Sequence, residues 1–430
     1  MRDIEELKTE LNSPNVSKRL SALSDIKAAA DAGSIAAPEK TPFVNNHIHT
    51  IYSFSPYSPT KALYMAWQAG LETAGIMDHD SLSGAFEFIE AGRILNMPVT
   101  VGMECRVDMR GTVAEGRRIN NPDQKSVAYV ALHGIPHGNI KQLNTYFSYY
   151  RDKRNERNRR MCGNISDIFR PFGITLDFDR DVLPISEYDG GGSVTERHLC
   201  YALAKKIAGI YDTPEKMVAF LGDSLALPLS AKARNNLLAG RETPQYYLYD
   251  ILGILKSNFV ERFYVDADEE CPKVREIAEI AKKCGAILCY AYLGDVGDSV
   301  TGDKKAQKFE DDYLDELFGE LSSIGFNAVT YMPSRNTMDQ LRRVMSLCEK
   351  NGLFQVSGED INSPRQKFIC EAMADPAFDH LKEATYALIG HEKAATEDLC
   401  DAMFSEQTRE RYPDIKERVK VYAGIGRAGA

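Results

Sequence analysis

The chain has 430 residues, of which 43% are hydrophobic and 27% charged, a composition typical of a soluble globular enzyme. Its formal net charge of −10 argues against nucleic acid as a main partner, because a surface that neutralises phosphates should be basic. No apolar run approaches the ~20 residues of a membrane span, the charged N-terminus lacks a signal-peptide core, and the nine cysteines form no C-x-x-C pair. These features predict a cytoplasmic protein with reduced thiols and no membrane partner.

Periodicity divides the chain into five segments. Residues 1–40 predict an N-terminal helical extension, and a strand–helix alternation over 41–139 predicts the first part of a parallel sheet or barrel. Residues 140–283 are mainly helical and charged, which indicates an insertion. The alternation resumes over 284–375, and an amphipathic helical tail closes the chain over 376–430.

One segment of the insertion is strongly basic. The sequence RDKRNERNRR at 151–160 holds six cations and two acids within ten residues. Such a run is most often a solvated helix face, and a substrate-attracting rim is the alternative.

Polar residues follow the predicted strands, at the ends where parallel α/β proteins place their active sites. His47 and His49 end the first strand, and because they are two residues apart, both imidazoles should point to one face. The other predicted strand ends carry Asp78, His79, Asp80, Glu104, His133, Tyr290, Tyr292, Glu359, Asp360 and Asn362. Imidazoles and carboxylates from neighbouring strands form a mixed nitrogen and oxygen set suited to zinc, manganese or iron. The pattern therefore predicts a metal site.

These motifs resemble a known family. His-x-His, then Asp-His-Asp after a second strand, then Gly-x-Glu and a later SGED segment are similar to the polymerase-and-histidinol-phosphatase (PHP) family of mostly metal-dependent phosphoesterases. The likeness covers about 41–135 closely and about 284–365 more loosely. It implies an α/β fold, a distorted (β/α)7 PHP-type barrel, here with a helical insertion and an N-terminal helical extension.

The resemblance also implies a ligand set. One metal position would be formed by four residues, which are His47, His49, Glu104 and Asp360. Glu104 would bridge to a second metal that also uses His133, and His79 would serve a third. Asp78 would be an orienting group or an extra ligand.

The chain departs from the family's pattern in three places. The loop after His-x-His reads Phe54-Ser55-Pro56 where the family often has Asp or His, Tyr290 and Tyr292 stand in place of imidazoles, and Asn362 replaces the last histidine. The changes favour harder ions such as Mn²⁺, Mg²⁺ or Fe²⁺ at the outer positions. We expect one to three divalent ions per chain, drawn from Mn, Zn, Fe and Mg. Tyr292 is alternatively a substrate contact, and Asn362 a weak oxygen ligand.

The predicted function is hydrolysis of a small phosphorylated metabolite, a nucleotide or sugar phosphate, through a metal-activated water. His198 is the first candidate for the acid that protonates the leaving group, and Asp80 is the second. The cations expected to bind the substrate phosphate are Arg197, Arg335 and Arg365. Two alternatives stay open: an amidohydrolase-type enzyme that uses the same metal on another bond, and an eroded barrel that only binds a metabolite or partner. The sequence leaves the oligomeric state open.

Overall fold

A single mixed sheet organises the molecule. The computed structural model describes residues 2–296 and 307–428. Its seven strands are neighbours in chain order: β1 (Val44–Ile48), β2 (Thr73–His79), β3 (Val99–Asp108), β4 (Val127–His133), β5 (Ile287–Ala291), β6 (Ala328–Tyr331) and β7 (Phe354–Ser357). Among the helices of this described part, none reaches the length and hydropathy of a bilayer-crossing segment.

The sheet curls until its two edges meet. The His49 N–H donates to the Ile361 carbonyl over 2.9 Å, and the Ile361 N–H donates to the His47 carbonyl over 3.1 Å. This parallel bridge joins the end of β1 to the chain just after β7. Residues at the carboxyl ends of these two strands therefore face one another.

One strand runs against the others. β4 is antiparallel to both β3 and β5, whereas every other neighbouring pair is parallel. This differs from the expected parallel order. The reversal places His133, the last residue of β4, opposite Ile287 at the start of β5.

Helices flank the sheet before and after a helical insertion. Those on the amino-terminal side are α1 (Ile4–Glu10), α2 (Val16–Asp31), α3 (Pro59–Gln68) and α4 (Ala85–Leu95). The chain between β4 and β5 forms α5 (Ile140–Tyr146), α6 (Ser148–Phe169), α7 (Glu196–Ile210), α8 (Pro214–Ala219), α9 (Ala231–Leu238), α10 (Pro244–Asn258) and α11 (Val274–Cys284). The rest are α12 (Leu314–Ile324), α13 (Met338–Asn351), α14 (Asp379–Glu397), α15 (Glu406–Arg411) and α16 (Ile415–Arg427).

The two faces of the sheet pack against different partners, because alternate residues of a strand point to opposite sides. The outer face packs against the flanking helices through residues that include Ile76, Val101, Val130, Leu288 and Tyr290. The inner face packs on Leu388 of α14 through Met77, Ala131, Cys289, Ala328 and Val356. Helix α14 therefore lies beneath the inner face, one layer below the strand ends.

The insertion has its own hydrophobic core, and the loop after β1 reaches into it. Phe54 is part of that core, with its ring 4.9 Å from the His198 ring and 5.7 Å from the Tyr201 ring. Its backbone φ of 139° lies in a region that residues with a side chain rarely adopt. The packing of the ring thus fixes an unfavourable backbone conformation immediately beside the predicted metal site.

A buried ion pair fastens the N-terminal helices to the sheet layer. Arg19 of α2 pairs with Glu87 of α4, and both side chains are almost fully buried. Glu87 also accepts hydrogen bonds from the Thr60 N–H (3.0 Å) and the Thr60 hydroxyl (2.6 Å) in α3. Three helices therefore share one carboxylate.

Candidate metal centre

Two imidazoles and a carboxylate converge at the end of β1 and the middle of β3. Ligand atoms of His47, His49 and Glu104 all lie within 4.8 Å of one another. The two Nε2 atoms of the histidines are 3.2 Å apart, and Glu104 Oε2 is 3.6 Å from His47 Nε2 and 3.9 Å from His49 Nε2. The alternation of β1 brings the two imidazoles together, as the His-x-His spacing predicts.

Two further groups border this cluster. Asp360 Oδ1 lies 3.1 Å from His49 Nε2, because the bridge at Ile361 draws the end of β7 to β1. His79 Nδ1 lies 3.4 Å from Glu104 Oε2, because His79 and Glu104 are paired residues of β2 and β3. The structure thus brings together the four residues of the first predicted position, and His79 beside them.

The electrostatics of the cluster favour a cation. Burial alone would raise the pKa of Glu104, but the imidazoles of His79, His47 and His49 outweigh it and lower that pKa to about 2. Burial likewise opposes ionisation of Asp360, yet contact with His49 holds its pKa well below the usual range. Burial lowers the pKa of His79 to about 3, so its imidazole is neutral at pH 7. Two carboxylates and a neutral imidazole therefore face one small space.

Buried atoms without hydrogen-bond partners test whether the residues fit a metal ion. Among the described residues, these atoms include His79 Nδ1, His133 Nε2 and Asn362 Oδ1. A buried acceptor that makes no hydrogen bond is unfavourable unless a cation uses its lone pair. Imidazole nitrogen together with carboxylate and amide oxygen suits Zn²⁺, Mn²⁺ or Fe²⁺. The residues fit a divalent cation.

His133 lies outside the tight cluster. It is the last residue of the reversed strand β4 and lies opposite the start of β5. Its ring nitrogens are not part of the set of ligand atoms that lie within 4.8 Å of one another. Burial lowers its pKa to about 3, and His47 and Glu104 are close enough to influence that pKa. A second metal position that uses His133 stays a prediction.

Asp78 points behind the cluster instead of into it. Its carboxylate accepts hydrogen bonds from the Thr50 N–H (2.7 Å), the Thr50 hydroxyl (2.6 Å) and the Ser53 hydroxyl (2.6 Å). Ser53 Oγ in turn lies 3.0 Å from His49 Nδ1. Of the two predicted roles for Asp78, this geometry matches an orienting group.

A cavity of about 380 Å³ opens onto the cluster. His47, His79, Glu104 and Asp360 lie on its wall, together with Arg154, Arg197, Lys256 and Arg335. The apolar part of the wall includes Phe259, Leu293, Phe309 and Met332. The cavity thus combines cation ligands, positive charge and an apolar surface.

The three arginines predicted to bind phosphate differ in position. Arg197 lies in the first turn of α7 on the cavity wall, close enough to Asp360 to help lower its pKa. Arg335 is also on the wall, where its Nε donates to the Leu293 carbonyl over 3.2 Å. Arg365, in contrast, forms a two-pronged ion pair with Asp250 at 2.7 and 2.9 Å and is not part of the wall.

Tyr290 and Tyr292, which stand where the resemblance implies imidazoles, make their contacts outside the cluster, whereas Asn362 contacts Asp360. Tyr290 belongs to the outer face of β5, where its ring packs edge-on against Phe318 and Phe326. Tyr292 borders the cavity, but its hydroxyl donates to Asp311 over 2.7 Å. Of the two roles that the sequence left open, metal ligation and lining of the pocket, these contacts match lining of the pocket for Tyr292 and neither role for Tyr290. Asn362, predicted as a ligand, donates from Nδ2 to Asp360 Oδ1 over 2.6 Å and leaves its Oδ1 unpartnered.

Both candidate acids have structural partners. His198 is buried, which lowers its pKa to about 3, and its Nδ1 accepts the Thr195 N–H over 3.0 Å. Its ring proton therefore sits on Nε2, so it suits a neutral hydrogen-bond donor and not an imidazolium acid. Asp80, in a left-handed backbone conformation, is paired with Arg154 at 2.5 Å. Their catalytic roles stay predictions.

The basic segment of α6 has one buried face, whereas its sequence indicated a solvated helix face; Arg159 and Arg160 are exposed. Arg151, Arg154 and Arg157 lie on one helix face and point into the protein. Together with Arg106, Arg154 and Arg157 form a network with the carboxylates of Asp80, Glu196 and Glu270. The sequence did contain a signal for this face: Arg151, Arg154 and Arg157 are three residues apart, and residues at that spacing lie on one side of a helix.

Comparisons with known proteins support the fold. No protein family profile matches the chain, and no curated protein does. A structure from Bifidobacterium adolescentis, provisionally named a metal-dependent phosphoesterase, aligns with a TM-score of 0.50 and 20% identity over 79% of this chain and 95% of that one. An amidohydrolase from Chromobacterium violaceum, with bound sulfate and no metal, aligns with a TM-score of 0.51 and 16% identity over 76% and 90% of the two chains. At these identities, the likeness shows a shared fold.

Proposed function

We propose that this protein is a metal-dependent phosphoesterase with a PHP-type barrel, and that it hydrolyses a small phosphorylated metabolite. The observation that carries the proposal is the convergence of four groups that suit a divalent cation, which are His47, His49, Glu104 and Asp360. They border a cavity whose wall also carries Arg197 and Arg335. A metal site beside fixed guanidinium groups suits a substrate with a phosphoryl group.

The protein's own residues prepare the site for this chemistry. A divalent cation, when bound, would polarise the phosphoryl group and acidify a water molecule. Glu104 and Asp360 supply the negative charge that offsets the cation, and the burial of Glu104 strengthens its attraction. Arg197 and Arg335 would hold phosphoryl oxygens, because a guanidinium presents two parallel N–H groups to them.

Two guanidinium groups on the cavity wall, those of Arg197 and Arg335, distinguish this proposal from amide hydrolysis. One neighbour in fold is an amidohydrolase, which keeps C–N bond hydrolysis as the second candidate. A neutral amide has no need of two guanidinium groups near the cation, whereas a phosphate monoester carries about two negative charges at pH 7. The cavity of this chain therefore favours the phosphoester.

Metal analysis and a substrate panel test the proposal. Protein purified without chelators is expected to retain at least one divalent ion, and to hydrolyse p-nitrophenyl phosphate faster than p-nitroacetanilide when Mn²⁺ is supplied. The variants His47→Ala and Asp360→Ala should lose bound metal and turnover together. His137→Ala is the matched control, because His137 pairs with Glu392 at 2.8 Å, away from the cavity wall.

Three outcomes would contradict the proposal in different ways. Amide turnover without phosphatase turnover would select the second candidate. Unchanged turnover in Asp360→Ala would place the chemistry elsewhere. Wild-type protein that retains no metal and binds none on addition would identify the chain as an eroded barrel that only binds a metabolite or partner.

A further inference from the structure

A buried hydrogen-bond system lies behind His49. Thr50, Ser53, Asp78 and His49 are each no more than 1% exposed. The Thr50 N–H and the Ser53 hydroxyl both approach Asp78 Oδ1, at 2.7 and 2.6 Å. The Ser53 oxygen lies 3.0 Å from His49 Nδ1. Because water has no access, each proton in this system has few possible positions.

The direction of each hydrogen bond follows from counting donors. The Thr50 N–H can only donate, so Asp78 Oδ1 is an acceptor. Ser53 has one hydroxyl proton, and the contact with Oδ1 uses it. The Ser53 oxygen can therefore face His49 Nδ1 only as an acceptor, so Nδ1 must carry a proton.

We propose that Ser53 is a positioning residue that fixes His49 as the Nδ1–H tautomer and so presents the Nε2 lone pair to the cation. The inference rests on the proposed metal site, since Nε2 is the atom that faces His47 and Asp360. A carboxylate commonly orients a metal-binding histidine directly. Here the hydroxyl of Ser53 stands between Asp78 and the imidazole.

The surroundings keep Ser53 in this position. The Ser53 N–H and the Phe54 N–H both donate to the Thr50 carbonyl, at 3.1 and 3.2 Å, which forms a tight turn directly after the histidine pair. The ring of Phe54 anchors the turn in the core of the insertion. Loss of the Ser53 hydroxyl would leave both His49 Nδ1 and one Asp78 contact unpaired in a dry environment.

Metal affinity of three variants tests this role. Metal-stripped protein is titrated with Zn²⁺ in competition with a fluorescent chelator. Ser53→Ala should bind Zn²⁺ about 10–100-fold more weakly than the wild type, as expected for loss of an orienting partner. Ser53→Thr keeps the hydroxyl and should recover most of the affinity. Ser55→Ala is the matched control, because Ser55 is a buried serine of the same loop whose hydroxyl makes no hydrogen bond.

A second measurement does not depend on any variant remaining folded. Histidine labelled with ¹⁵N should show, in metal-free wild-type protein at pH 7.5, a proton on Nδ1 of His49, with the resonance assigned through its loss in His49→Gln. An unprotonated Nδ1, as in the Nε2–H tautomer, would overturn the inference.

The two proposals fail in distinguishable ways. Wild-type protein that binds no Zn²⁺ refutes the metal site, whereas the tautomer still decides the role of Ser53. Wild-type protein that binds Zn²⁺, together with Ser53→Ala that binds it equally tightly, refutes the role of Ser53 and leaves the metal site standing.

Discussion

His391 couples the stability of the fold to pH at a site apart from the proposed chemistry. It lies in α14 beneath the sheet and is 1% exposed. Its Nδ1 accepts the Met403 N–H over 3.0 Å. Burial disfavours the imidazolium and lowers the pKa of His391 to about 4.

The size of the effect follows from the two pKa values. An unfolded histidine has a pKa of about 6.5, so below that pH the unfolded state binds a proton that the native state does not. The uncharged state of the buried His391 therefore costs no stability above pH ~6.5. Below that pH the free energy of unfolding decreases as the pH falls toward the pKa of His391 in the folded protein. Each pH unit in this window removes about 1.4 kcal/mol, so His391 should lower the free energy of unfolding by about 2 kcal/mol at pH 5.

Comparison with His391→Asn isolates this contribution. Asn can still accept the Met403 N–H but gains no charge in acid. Urea unfolding of both proteins, in EDTA at pH 7.5 and pH 5.0, should show that the wild type loses about 2 kcal/mol more than the variant. The buried His79, His133 and His198 lower stability in acid as well, but they do so equally in both proteins. An equal loss in the two proteins would refute the reasoning.

Three further predictions concern other parts of the molecule. Arg19→Met should destabilise the protein by about 3 kcal/mol in urea unfolding, because it leaves the Glu87 carboxylate buried without its charged partner. Adding Glu87→Gln should restore most of the lost stability. If the double variant is no more stable than Arg19→Met, the unpaired Glu87 charge is not the cause of the destabilisation. Tyr290→Phe should leave the metal content measured by elemental analysis unchanged, since the ring faces the outer helices; loss of metal would show that the residue is a ligand. Arg335→Ala should lower kcat/KM for p-nitrophenyl phosphate about 10–100-fold by removing a charged hydrogen-bond donor, whereas Arg365→Ala should change it less than about twofold. Equal effects of the two variants would contradict the assignment of Arg335, and not Arg365, to the cavity wall.

The sequence predicts those features that depend on simple periodicity. The period of two in a strand places His47 and His49 on one side. The alternation of strands and helices predicts that strand ends such as those at Glu104 and Asp360 meet at one edge. These rules act locally or through a common topology, so no knowledge of side-chain packing is required. The structure brings these four residues together as expected.

Features that depend on the choice between similar partners could not be predicted. The direction of β4 is one example, since a strand buries the same alternate residues whichever way it runs. The pairing of Arg365 with Asp250 is another, because the two are distant in sequence and other carboxylates were equally suitable. Arg154 and Arg157 of α6 are buried beside Asp80, Glu196 and Glu270, three carboxylates from separate segments that neutralise them.

The position of Phe54 makes the helical insertion an inseparable part of the chain. Its ring completes the core of the insertion, while its immediate neighbour Ser53 supports the imidazole of His49. A chimera that exchanges the insertion, residues 140–283, for the equivalent region of another protein would therefore pack poorly against that ring and disturb the turn beside it. An exchanged insertion would therefore need a compensating substitution at Phe54 to keep Ser53 beside His49.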